Sequence, residues 1–158
     1  MLSHGITAAA LFFVVGVVYD RAHHRDLRRF GGLWEPMPLY CGFSAVLFFA
    51  SMGLPGLCGF VGEFFVLLSA WHFSPVLAIP AILSVILTAG YLLWTWLRVF
   101  TGVNDATRSY PDLSPREAIT LFPYVVLAIL LGILPYTLVL QWVDPAITGW
   151  VANLASLR

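Results

Sequence analysis

Lysine is absent from the 158 residues, and all eight basic side chains are arginines. Charge of either sign is scarce: 10% of residues are charged, and eight acids balance the eight bases to a formal net charge of zero. Binding nucleic acid demands a basic face that neutralises phosphates, so that class of partner is excluded. Cysteine is almost missing as well. Cys41 and Cys58 lie in apolar stretches without CxxC spacing, which leaves no disulfide framework and no zinc site, and both read as small apolar fillers. No cluster of His, Cys or carboxylate residues has metal-ligand spacing on one face. Nucleophile motifs and phosphate-cradling loops are missing too, and the glycines between Gly53 and Gly62 follow no strand of a dinucleotide fold. The chain is therefore expected to carry no catalytic residue, no cofactor site and no metal site of its own.

What fills the sequence instead is apolar. Hydrophobic residues make up 60% of it and the mean hydropathy is +0.89, whereas soluble domains run at about half apolar and about a quarter charged. A hydrocarbon core of about 30 Å needs about 20 helical residues, and several stretches here meet that test. The expected fold is an all-α membrane protein of about four transmembrane helices forming a single bundle over residues 1–158. Residues 2–19 make the first span. Polar residues take over from Asp20 to Pro38, a loop with room for a short surface helix.

Residues 39–73 hold only Glu63 and His72 as acidic or basic residues, yet an unbroken helix of that length would run roughly 50 Å, too long for the bilayer. The interruption lies between Gly53 and Gly59, where Pro55 cannot donate a backbone hydrogen bond and Gly53, Gly56 and Gly59 permit unusual dihedrals. The second span is thus predicted to be discontinuous, with half-helices at 39–52 and 60–72. Pro75 opens a third span that runs to Phe100. A second polar loop covers residues 101–114, and Ser114-Pro-Arg-Glu117 has the form of a helix start. The fourth span is predicted over 116–142, bent at Pro123 and Pro135, and residues 144–158 form a short amphipathic helix at the membrane interface.

Seven of the arginines fall on the side of the two polar loops and Arg158 alone on the other, so both loops are expected to face the cytoplasm. Met1 to Gly5 lacks the positive region that opens a signal peptide. The sequence begins already inside an apolar helix, as a fragment or a split subunit would.

Glu63 is the principal candidate site. It lies about 12 residues, roughly 18 Å of helix, from the turn at Pro75, which places it near mid-bilayer. A carboxyl at that depth is costly, and such residues mark ion pathways and proton relays by default. The break beside it exposes backbone polar groups that invite water, and the start of the second half-helix brings a positive dipole end within a turn of the acid. Burial and dipole pull in opposite directions on its proton. The plainer reading is a structural acid that bonds a carbonyl freed near Pro55, or an arginine. His4 is the second candidate, about 16 residues or roughly 24 Å before the cytoplasmic end of its helix and so inside the bilayer, with Ser3 and Thr7 as polar neighbours. A neutral histidine satisfied by a neighbouring helix fits the sequence nearly as well. His23, His24 and His72 sit in loops or at helix ends, where ordinary surface roles suffice.

The string Met1-Leu-Ser-His-Gly-Ile-Thr-Ala-Ala-Ala-Leu-Phe, with Tyr19-Asp-Arg, His24-Arg-Asp26 and Gly31-Gly-Leu33 after it, resembles the eleventh helix and following loop of the chain M (subunit 4) family of respiratory complex I. Met52-Gly-Leu-Pro-Gly-Leu-Cys-Gly-Phe-Val-Gly-Glu-Phe64 resembles that family's discontinuous twelfth helix, glutamate included. Residues 1–70 carry the likeness in motifs, and residues 75–158 mainly in hydropathy and position. The resemblance implies a segment like the last four of fourteen helices in an antiporter-like subunit of NADH:quinone oxidoreductase. It also implies that Glu63 and His4 belong to a proton relay, with Gly53, Pro55, Gly56 and Gly59 forming the helix break. NADH, FMN, iron–sulfur clusters and quinone would lie in partner subunits, and the membrane would be the bacterial inner membrane. Helices carrying the family's other relay residues are missing here, so this chain is not expected to translocate protons alone: either a separate chain supplies them or the chain is a nonfunctional fragment. The alternatives are a subunit of a Mrp-type cation/proton antiporter or membrane-bound hydrogenase, and a structural membrane fragment without transport.

Overall fold

The computed structural model describes residues 1–156, with side chains to Asn153. All of its described regular structure is helical. Helix α1 spans Leu2–Ala22, a 3-10 turn covers Leu27–Arg29, α2 is Pro38–Ser51, α3 is Cys58–Phe73 and α4 is Pro75–Phe100. Helix α5 is Pro115–Ile133; a π-helical turn at Tyr136–Leu140 then leads into α6, Gln141–Ser156. Among the described residues, α1, α4 and α5 are each long and apolar enough to cross a membrane, and α2 and α3 are shorter apolar helices. Joined through the break, α2 and α3 make the second of four spans, as expected.

Local chemistry explains where each element stops. His23 takes a left-handed conformation (φ 55°), and its N–H returns to the Tyr19 carbonyl at 2.7 Å to close α1. Pro38 and Pro75 occupy the first turns of α2 and α4, where a missing N–H costs nothing. At the start of α5, Ser114 and Glu117 form a reciprocal capping box.

The fourth span is shorter than the sequence suggests. Leu134 leaves the helical region (φ −120°, ψ 47°) because it precedes Pro135, so that proline ends α5 where a bend was expected. Pro123 is carried inside the helix. The tail expected at the interface over 144–158 falls within α6, and its residues 157 and 158 lie outside the described ones.

Helix α4 runs back along the broken span, pairing Phe100 with Tyr40 (5.5 Å between ring centroids) and Trp96 with Phe49 (5.8 Å). Helices α1 and α5 close the other side of α2, and α3 lies between α4 and α5. The core gathers at the end of the bundle that carries the two polar loops, around Tyr40, Phe100, Leu33, Met37, Leu47 and Leu121, all fully buried. Tyr40 donates its hydroxyl hydrogen to the Val14 carbonyl at 2.8 Å. Much of α4 and α5 faces outward with large apolar side chains.

The polar loops clamp that end. Gly32 N–H donates to Thr101 O (2.9 Å), the Thr107 hydroxyl to Gly31 O (2.8 Å) and the Asn104 amide to Arg29 O (2.9 Å). Asp112 reaches over to accept the Leu39 and Tyr40 amides at 3.0 Å each, capping α2 from a distant loop. Arg21 donates to both oxygens of Glu117 (3.0 and 2.8 Å) and to the carbonyls of Val17, Pro111 and Asp112. Its side chain is 10% exposed and that of Glu117 is 20% exposed. Removing one partner of so sheltered a pair strands the other, so Arg21→Ala is expected to destabilise the protein by about 3 kcal/mol. Arg108, 57% exposed beside Glu35 and Asp105, should change stability by less than about 1 kcal/mol when replaced by alanine. Thermal denaturation of the detergent-solubilised protein ranks the two; equal midpoints would remove the Arg21 pair as a structural tie.

Candidate functional site

The break occupies residues 52–57. Gly53 and Gly56 adopt positive φ (74° and 92°), a region closed to most side chains. Leu54 N–H bonds back to Phe49 O at 3.1 Å and Leu57 N–H to Leu54 O at 3.1 Å, so the unwound turn is a defined structure. Two further glycines permit close approaches. A Cβ on Gly59 would run into the Ala50 carbonyl oxygen, which lets the start of α3 lie against the end of α2. A Cβ on Gly132 would meet the backbone of Gly56 and Leu57, so α5 presses directly on the break. Ala50, Cys58 and Ala128 pack there in a small buried cluster.

Glu63 stands on α3 about ten residues, or ~15 Å, from the turn into α4. A helical side chain leans toward its helix N-terminus, and the Glu63 carboxyl accordingly folds back against the Cα of Gly53. It fills the space that a side chain at 53 would need. The carboxyl has no hydrogen-bond or ion-pair partner among the described residues. The arginine or freed carbonyl that a purely structural acid would engage is therefore not among them.

His4 comes to the same place from α1. Glu63, His4, Thr7 and Ser51 line two adjoining hollows of about 420 and 480 Å³ between α1, the break and α4. The first hollow adds Ser3 and Ser84, and the second adds Thr88 and Tyr91. Each has room for roughly a dozen waters or more. Glu63 is half-buried, while His4 and Ser84 are exposed, so the hollows form a groove open along one side. The imidazole of His4 also lacks a partner among the described residues. Of the four residues expected to form the break, Gly53 lies against the carboxyl and Gly59 lines the first hollow with it, whereas Pro55 and Gly56 lie outside both hollows.

Ser51, Ser84 and Thr88 do not stand out in the sequence, because isolated hydroxyls are ordinary in membrane helices. One signal was available: Ser84 and Thr88 stand four residues apart, on one face of an otherwise apolar helix. His24 and His72 lie outside this groove. No group of three or more His, Cys, Asp or Glu residues that could hold a metal ion occurs among the described residues.

An apolar helical chain with a discontinuous span and an unpartnered carboxyl beside the break defines a class, the multi-pass integral membrane proteins built around a broken helix. A family model described as NADH:quinone oxidoreductase/Mrp antiporter, transmembrane, matches residues 1–88, and the chain belongs to that family. It is similar to NADH-quinone oxidoreductase subunit M of Rhodobacter capsulatus, at 40% identity over 155 residues that cover 97% of this chain and 30% of that protein. NADH-ubiquinone oxidoreductase chain 4 of Arabidopsis thaliana is 41% identical over 140 residues, 85% of this chain and 28% of the relative. In the solved structure of respiratory complex I from Thermus thermophilus with bound NADH, one chain matches with a TM-score of 0.76 and 34% identity, over 84% of this chain and 28% of that one. The chain thus spans less than a third of the length of these relatives.

Proposed function

We propose that this chain is part of a proton-translocating membrane subunit of NADH:quinone oxidoreductase, in which Glu63 and His4 pass protons through water held beside the broken helix. It corresponds to the last four spans of a fourteen-helix antiporter-like subunit. One observation carries the reading: the Glu63 carboxyl and the His4 imidazole share a groove at the break, neither partnered by the described residues. Titratable groups inside a membrane serve ion pathways when they face the bundle interior or water. Discontinuous helices place such groups where unwound backbone can hold that water.

The groove's open side also supports a partner. An exposed imidazole and serine at mid-membrane depth are poorly matched to hydrocarbon. Helices corresponding to the remainder of the longer relatives, whether in the same or a separate polypeptide, would cover them. The redox chemistry belongs to other subunits, which would hold NADH, FMN, iron–sulfur clusters and quinone. The membrane is the inner membrane of a bacterium, with the arginine-bearing loops in the cytoplasm.

The test uses the assembled complex containing this chain, reconstituted in proteoliposomes. NADH oxidation coupled to quinone reduction should acidify the lumen equally with and without sodium. Proton movement that depends on sodium and ignores NADH would favour the Mrp-type antiporter. A chain that co-purifies with no respiratory subunit would sink the proposal.

A further inference from the structure

Five serine and threonine hydroxyls in or next to the apolar helices are spoken for. Those of Thr7, Ser69, Thr95, Thr101 and Thr120 donate to the carbonyl one turn back, at 2.6–3.1 Å. Such back-bonding is the ordinary way a hydroxyl is satisfied in a helix. Ser84 and Thr88 on α4 depart from it, having no hydrogen-bond partner among the described residues. The hydroxyl of Ser51, in the last turn of α2, is buried and equally unpartnered. All three line the groove that holds His4 and Glu63.

Their placement follows from helix geometry. Ser84 lies about nine residues, or ~14 Å, past the α3–α4 turn, and Glu63 lies ~15 Å before it, so the two stand at the same depth on antiparallel helices. Thr88 is one turn further along the same face of α4. Ser51 closes the groove from the break. An unpaired hydroxyl away from bulk water costs free energy, and water in a hollow of this size, held by the few polar groups on its largely apolar wall, meets that need.

We propose that Ser51, Ser84 and Thr88 are positioning residues that hold the water connecting Glu63 to His4. This inference rests on the transport reading given above. Each hydroxyl accepts one hydrogen bond from water and donates another, which orders the waters without gaining or losing a proton itself. A proton leaves the Glu63 carboxyl for the first water, each water passes on one of its own, and the last is received by the imidazole. Glu63 ends as carboxylate, His4 as imidazolium, and the water is unchanged.

The experiment compares proton flux per NADH oxidised in proteoliposomes of the assembled complex. Ser84→Ala with Thr88→Val is expected to lower the flux about tenfold, the scale of one lost hydrogen bond, with assembly unchanged. Ser84→Thr with Thr88→Ser keeps both hydroxyls and should stay within about twofold of wild type. A purely steric role would respond to both pairs alike. Wild-type flux in the alanine–valine variant overturns the inference, as does a loss confined to complex assembly, which would mean a neighbouring helix takes these hydrogen bonds. Glu63→Gln in the same assay separates the two levels. If it is impaired while the hydroxyl variants pump normally, only the water-holding role fails; wild-type flux in Glu63→Gln removes the transport reading and this inference with it.

Discussion

Glu63→Gln is expected to lower proton flux by about two orders of magnitude, the scale on which a positioned proton donor and acceptor acts, while the complex still assembles. The substitution is close to isosteric. Glutamine fits the space against Gly53 that the carboxyl now fills, and no hydrogen bond or ion pair among the described residues is lost with the charge. What changes is that an amide cannot release and regain a proton near neutral pH. A structural acid predicts the reverse pattern: lowered assembly and normal flux per assembled complex. Flux per NADH oxidised in proteoliposomes, together with complex abundance after solubilisation, decides between them. Glu63→Asp sharpens the comparison, since it keeps the titration but shortens the reach, and is expected to fall between the two.

The broken span was legible because it violates two rules at once. A run of apolar residues too long for the bilayer must be interrupted, and Pro55 among Gly53, Gly56 and Gly59 is where backbone hydrogen bonding fails most cheaply. The observed half-helices differ from those expected by a residue or two at each end, the ordinary uncertainty of helix termini. Glu63 was legible for a related reason, being a lone acid in an apolar run. The end of the fourth span was not. No charged residue interrupts residues 134–142, and the conformational restriction that Pro135 places on Leu134 separates α5 from the π-helical turn and α6.

Contacts between distant parts of the chain were out of reach altogether. Arg21 finds Glu117 and Asp112 caps α2 across separations of 96 and of 72 to 73 residues. No local pattern encodes these meetings. The groove falls between the two cases: Glu63 and His4 each stood out alone, but their convergence depends on α1 and α4 packing against the break. Likeness to known relatives also reaches further than the motifs suggested, covering 155 residues where the motif match lay mainly in the first 70.

Gly132→Val is expected to be the most destabilising single substitution near the site, at about 3 kcal/mol or more. Its effect comes from rigidity on both sides. A side chain at 132 would meet the carbonyl of Gly56 and the Cα of Leu57, which are backbone atoms of a turn already committed by two positive φ angles. Neither partner is the end of a flexible side chain that can swing aside, so α5 itself must move away. One turn earlier, the fully buried Ala128 packs with Ala50 and Cys58, and a shift of α5 would open that contact too. Small residues four apart are how membrane helices bring backbones together, and here the approach supports an unwound turn. Gly16→Ala is the matched control, because its added Cβ meets nothing inside α1 and alanine is the better helix former. It should change stability by less than about 1 kcal/mol. Thermal midpoints of the detergent-solubilised protein measure both. A valine variant as stable as wild type would mean that α5 does not brace the break, and that the turn holding Gly53 against Glu63 keeps its shape without help from the fourth span.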